Sequence, residues 1–325
     1  MRNALPEVHI GSVLDRGLPL QSSFAGFVAF FACSSHSKRT IFVPMAVLSV
    51  DLAYRRWSDL GIVVLDRTVP PQLNPASLPA ALDKDQPPAE IRCETIAWSH
   101  SGEESVLNSG PAPTKLERVD PEVLAGRLNH LCNLRNIRII LLDGPQAWKS
   151  RHNGLEHARV SERQLNTAAK TGLPGIVKPV TYRAFAEFCL DVYDALARRG
   201  WHRLDSQSQP GSAPERLLVE SYPHAAWKSL GIKPLPSKRR ARISDLAEAF
   251  AALRSLLPLS VDHPPNHDQL QAIVGGLPGL ALDERDSSGA RIFGHPPRRE
   301  EGHWREGFIV LPVPPNPFPA IRWLH

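Results

Sequence analysis

Four acidic residues, Asp51, Asp143, Glu220 and Asp268, stand where a fold can gather them. Three of them close apolar runs: Val47-Leu48-Ser49-Val50-Asp51, Ile137-Arg138-Ile139-Ile140-Leu141-Leu142-Asp143 and Arg216-Leu217-Leu218-Val219-Glu220. The fourth follows Pro264-Pro265-Asn266-His267 and opens a helical pattern, Gln269-Leu270-Gln271-Ala272-Ile273-Val274. Short continuous apolar runs read as buried strands, and neighbouring strands of one sheet end near each other. The four carboxylates can therefore converge. Like-charge repulsion makes such a cluster costly unless a cation sits among them, so the pattern predicts a site for hard divalent metals.

Cationic stretches surround these acids in the sequence. Lys238-Arg239-Arg240-Ala241-Arg242 is expected to open a helix, where it is either a solvated face or a row of contacts to a phosphate backbone. Arg151, His152, Arg159 and Arg163, with Trp148 nearby, form a second stretch just after Asp143, and Arg298, Arg299 and Arg305 with Trp304 a weaker third. Arg151, Arg159, Arg163, Lys238, Arg239 and Arg240 are thus the candidate nucleic-acid contacts. The net charge of +5 fits a polyanionic partner. His263 and His267 have H-x-x-x-H spacing, but Pro264-Pro265 exclude the helix that would bring both rings to one zinc ion. There is no G-x-S-x-G, no G-x-x-x-x-G-K-[ST] and no G-x-G-x-x-G, so those hydrolase and nucleotide-binding chemistries lack their residues.

The elements that must position the acids follow from periodicity. Residues 47–51 and 60–66 form an antiparallel hairpin, and residues 91–98 alternate as a third strand. Asp120-Pro121-Glu122 starts a helix running to about residue 133, and the strand to Asp143 follows. Residues 144–180 show little periodicity and read as an insertion at a strand end. An amphipathic helix over 181–199 carries Phe185, Phe188, Cys189, Val192 and Leu196 at helical spacing. Next come the strand to Glu220, a short helix from Pro223 and a basic helix over 237–257. The helix opened by Asp268 is expected to break at Gly275-Gly276-Leu277-Pro278-Gly279, followed by a charged loop over 283–306 and a last strand, Phe308-Ile309-Val310-Leu311. This order implies a mixed sheet flanked by helices.

The order of elements and acids resembles the RNase H-like superfamily and, more closely, a bacterial and archaeal family described as predicted RNase H-fold nucleases of unknown function. The resemblance rests on Leu48-Ser49-Val50-Asp51, on Leu141-Leu142-Asp143-Gly144-Pro145 and on Leu218-Val219-Glu220-Ser221-Tyr222-Pro223-His224-Ala225. His267-Asp268-Gln269-Leu270-Gln271-Ala272-Ile273-Val274 and the closing Gly307-Phe308-Ile309-Val310-Leu311-Pro312 extend it. It implies an RNase H-like α/β fold over residues 45–312, with a mixed five-stranded sheet, flanking helices and loop insertions. It also implies a two-metal carboxylate site using Mg²⁺ or Mn²⁺ to hydrolyse phosphodiesters of nucleic acid. Asp51 would be the metal-bridging ligand, Asp143, Glu220 and Asp268 would complete the shells, and His267 could position water or be a solvated loop histidine. Where this superfamily often has a glycine close after the first acid, this chain has Asp51-Leu52-Ala53.

Two other readings stay open: a catalytically inactive nucleic-acid-binding protein on the same fold, and phosphoryl transfer to a small molecule. Missing glycine-rich phosphate loops count against the latter. Residues 1–44 read as an extension outside the fold, as from a misassigned start, and 313–325 as a tail. Cys93, Cys132 and Cys189 read as buried free thiols, which favours a cytoplasmic location. No apolar stretch reaches the ~20 residues of a membrane span.

Overall fold

The computed structural model describes residues 46–68, 90–96, 117–205, 216–284 and 288–314. The extension expected over 1–44, nearly all of the tail and Cys33 lie outside these residues. The described residues open with β1 (Ala46–Asp51), β2 (Gly61–Thr68) and β3 (Glu90–Thr95), then α1 (Pro121–Arg135) and β4 (Ile139–Asp143). A connecting region follows with α2 (Val160–Leu165), β5 (Lys170–Thr171) and β6 (Val177–Lys178), leading to α3 (Arg183–Ala197) and β7 (His202–Arg203). The second half contains β8 (Leu217–Ser221), α4 (Pro223–Ser229), α5 (Ile243–Leu256), β9 (Leu259–Val261), α6 (His267–Glu284), β10 (Ala290–Glu300) and β11 (His303–Pro312).

One nine-stranded sheet runs in the order β10-β11-β8-β4-β1-β2-β3-β9, with β7 also beside β8. Its centre is the expected five-strand set. β1, β2 and β3 are antiparallel neighbours, and β4 and β8 continue parallel to β1. This is a mixed α/β fold with helices flanking the sheet, as expected, enlarged at one edge by the β10–β11 hairpin and at the other by β9. Strand alternation divides the core. Leu48, Val50, Ile140, Leu142 and Leu218 pack beneath α1 and α3, whereas Val47, Leu141 and Val219 pack beneath α4, α5 and α6.

Local chemistry explains several elements. The Asp120 carboxylate accepts from the Glu122 and Val123 amides at 2.8 and 2.9 Å, with Pro121 in the first turn, so α1 starts where its cap predicts. The buried face of α3 comprises Phe188, Cys189, Val192, Tyr193 and Leu196. Cys93, Cys132 and Cys189 are buried free thiols. Among the described residues, no helix is long and apolar enough to cross a membrane.

Three expectations need correction. The last helix does not break at its glycines: α6 runs unbroken through Gly275, Gly276, Pro278 and Gly279. A Cβ at Gly276 would stand 2.7 Å from Ser49 Cβ and closer still to Leu65, so the run lets the helix settle onto β1 and β2. Residues 283–306 are largely not a loop, because β10 and the start of β11 form an exposed, charge-rich edge hairpin. The run 238–242 precedes α5 rather than opening it, with Arg242 as the N-cap.

Gly61 brings the acids together. It pairs with Asp51 across the hairpin, and a Cβ there would fall inside contact distance of the Asp268 carbonyl oxygen. The start of α6 therefore rests on the end of β1. Gly61→Ala should push it away and cost roughly 1–3 kcal/mol, as overpacking does, in urea unfolding. Gly126→Ala, whose Cβ would meet nothing nearer than Arg199 at 3.8 Å, should leave stability unchanged or raise it by up to about 1 kcal/mol.

Candidate functional site

Parallel pairing of β1 with β4 sets Asp51 beside Asp143 at the two strand ends. Both residues are partly buried. Burial first, then the charges of Asp143 and Asp268, hold the Asp51 carboxyl well above the usual carboxylate range. Asp143 is pushed up to about 7, chiefly by burial. Two such carboxylates share a proton rather than ionise together. The sign of the linkage is definite. A carboxyl whose folded value is raised contributes stability below its unfolded value, and that stability is lost as pH rises through the folded value. The next residue in this register, on β8, is Ser221, 2% exposed, whose Oγ has no hydrogen-bond partner.

Asp268 reaches the same corner from the first turn of α6. Its Oδ2 accepts from Lys238 Nζ, and its Oδ1 faces His267 Nδ1 at 3.1 Å. His267 Nε2 donates to the Pro236 carbonyl at 3.0 Å, which fixes the ring beside Asp268 rather than leaving it solvated. Lys238 Nζ also donates to Asp59 Oδ1 at 2.9 Å. Burial alone would lower the Lys238 ammonium, but Asp268 and Asp59 hold it above its ordinary value.

Glu220 is partnered differently, although its charge still helps raise Asp143. It aligns with Leu142, one residue before the Asp143 row, and so points towards the opposite face of the sheet. There it accepts from Arg159 Nη1 and Nη2 at 2.7 and 2.6 Å and from the Gln146 amide at 3.1 Å. Burial raises the Glu220 carboxyl while Arg159 opposes the shift. Arg159 is 1% exposed and also donates to Glu162 and to Thr171 Oγ1. Burial would lower the guanidinium, but Glu220 and Glu162 hold it above its ordinary range. Glu220, expected as a metal ligand, is here paired with a buried guanidinium, and Arg159, expected as a phosphate contact, is buried against Glu220 and Glu162.

The region after Asp143 is pinned by further carboxylates that sequence reading missed. Glu306, 1% exposed, accepts from the Ser150 and Val160 amides at 2.8 and 2.9 Å and from Asn153 at 2.6 Å. Glu162 accepts from the Thr171 amide and hydroxyl. Trp148 is buried, and Arg305 is buried among these groups. Arg299 and Arg203 stack on Trp304, each 4.6 Å from a ring centroid. Of the remaining candidate cations, Arg163, Arg239 and Arg240 are exposed, and Arg151 is exposed but pairs with Glu301 at 3.2 Å. Among the described residues, no group of three or more His, Cys, Asp or Glu side chains stands ready to hold a metal ion.

The sequence matches no protein-family model and no curated protein. Among solved structures it is similar to RuvC of Thermus thermophilus at 12% identity and a TM-score of 0.33, covering 74% of this chain and 98% of that one. It is similar to the yeast mitochondrial Holliday junction resolvase Ydc2 at 12% identity and a TM-score of 0.30, covering 70% of this chain and 75% of that one. Neither likeness bears on the chemistry of this chain's own residues.

Removing the Arg159 guanidinium leaves Glu220 and Glu162 buried without their cation. Arg159→Met should therefore cost roughly 3–5 kcal/mol in chemical denaturation, the scale for breaking a buried ion pair from one side. A loss below about 1 kcal/mol would show that Glu220 is free for another partner.

Proposed function

We propose that this chain hydrolyses phosphodiester bonds of nucleic acid with the help of Mg²⁺ or Mn²⁺ held by Asp51 and Asp143. The observation that carries the reading is the pair itself. Two partly buried carboxyl groups stand side by side at adjacent strand ends, while Glu220 and Asp268 are each ion-paired. Hard oxygen donors suit these ions, and Mg²⁺ commonly accepts one or two carboxylates with water and substrate phosphate in its other positions. A cage of four free carboxylates around two ions, as the resemblance implies, does not fit these residues as they stand. An ion bound at the pair would supply Lewis-acid polarisation of the phosphate and a more acidic water.

The chain's own groups do the rest. Asp51 and Asp143 must give up their shared proton for an ion to bind, so binding strengthens as pH rises. Ser221 Oγ offers an uncommitted hydroxyl beside Asp143. His267 holds Asp268 against the end of β1. Arg163, Arg239 and Arg240 are exposed, which lets them follow a phosphate backbone.

The pairing of Glu220 and Asp268 with resident cations favours a second reading, a nucleic-acid-binding protein without turnover. Mn²⁺- and Mg²⁺-dependent cleavage of labelled single- and double-stranded DNA, RNA and hybrid separates the two. Metal-dependent cleavage should appear and should fall roughly 100-fold or more in Asp51→Asn and in Asp143→Asn, the scale for removing one transition-state-stabilising group. Nucleic-acid binding should survive in both. No cleavage by folded wild type, with binding intact, would leave the binding reading.

A further inference from the structure

Lys238 sits in the turn before α5, and its Nζ joins two carboxylates, Asp59 at 2.9 Å and Asp268. Two residues earlier, the Pro236 carbonyl accepts from His267, the neighbour of Asp268. This turn is therefore fastened twice to the start of α6, and the ammonium is placed rather than loose. Lys238 donates to one oxygen of Asp268, and the other lies 3.1 Å from His267 Nδ1. The Lys238 side chain is 49% exposed and that of Asp268 9% exposed, so the lysine shields the carboxylate from solvent.

An ammonium in this position opposes a divalent ion in two ways. It neutralises the ligand such an ion would need, and it repels the ion directly. The same ammonium acts on Asp51 only at a distance, because its hydrogen bonds go to Asp59 and Asp268. Asp51 and Asp143 are partly buried, and Ser221 Oγ, 2% exposed and without a hydrogen-bond partner, stands next in their register.

We propose that Lys238 is a built-in cation of this site: it occupies Asp268 in place of a second divalent ion and leaves one ion to Asp51 and Asp143. The proposal rests on the divalent-ion reading given above. Lysine suits the role because it is a compact point charge with three donors, two of which are accounted for here.

The test is the number of Mn²⁺ ions bound per folded chain, counted by calorimetric titration and by the electron paramagnetic resonance of free Mn²⁺. Wild type should bind one ion, Lys238→Met two, and Lys238→Arg one, because arginine restores the charge. Circular dichroism confirms that each variant is folded. Two ions in wild type, or one in Lys238→Met, would overturn the role of Lys238 while leaving the divalent-ion site standing. No ion in folded wild type would overturn the divalent-ion reading, and this proposal with it.

Discussion

Two like charges forced together at the ends of β1 and β4 are the constraint around which this corner of the molecule is built. Parallel register makes Asp51 and Asp143 neighbours, and neither can ionise freely while the other does. The sheet cannot relieve this without losing pairing at its centre. The surroundings answer by keeping every further negative charge occupied. Glu220 points to the other face and meets a guanidinium, while Asp268 meets an ammonium and an imidazole. What remains is the Asp51 and Asp143 pair itself, whose mutual repulsion Lys238 offsets only at a distance.

The close approach of α6 decides whether that corner exists. The glycines at 61, 276 and 279 remove the side chains that would hold the helix off β1 and β2, so Asp268 arrives against the end of β1. Stability and site geometry are coupled here through van der Waals contact. On the far side the coupling is electrostatic. The Arg159, Glu162 and Glu220 network is nearly free of water, so its worth lies in complete satisfaction, and losing one member exposes the others to the full cost of burial. The same network ties the region after Asp143 to β8, as Glu306 ties it to β11.

Much of this was legible in the sequence, and the misses share a cause. The apolar runs ending in acid identified β1, β4 and β8 because buried strands need continuous apolar residues. Asp120-Pro121 identified the start of α1 because a cap is a local interaction. A one-residue offset in register was invisible: Leu218-Val219-Glu220-Ser221 reads as a strand ending near Asp143, yet Ser221 rather than Glu220 shares its row. Arg159 looked like a phosphate contact because sequence shows charge and not burial. The glycines near 276 looked like a break because their value depends on Ser49 and Leu65, more than 200 positions away. The β10–β11 hairpin read as loop because its exposed edge strand has no apolar face to reveal it.

The central claim, that Asp51 and Asp143 form a strained acid pair relieved by a divalent ion, is tested most directly by unfolding free energy against pH, with and without Mn²⁺. In wild type without metal, stability should decline as pH rises from the ordinary carboxylate range through about 7. Mn²⁺ should restore it, increasingly so at the higher pH. Asp51→Asn should flatten the decline, be more stable than wild type at pH 8, and lose the response to Mn²⁺. A wild type whose stability ignores Mn²⁺ across this range, or an Asp51→Asn variant that responds as strongly as wild type, would contradict the account.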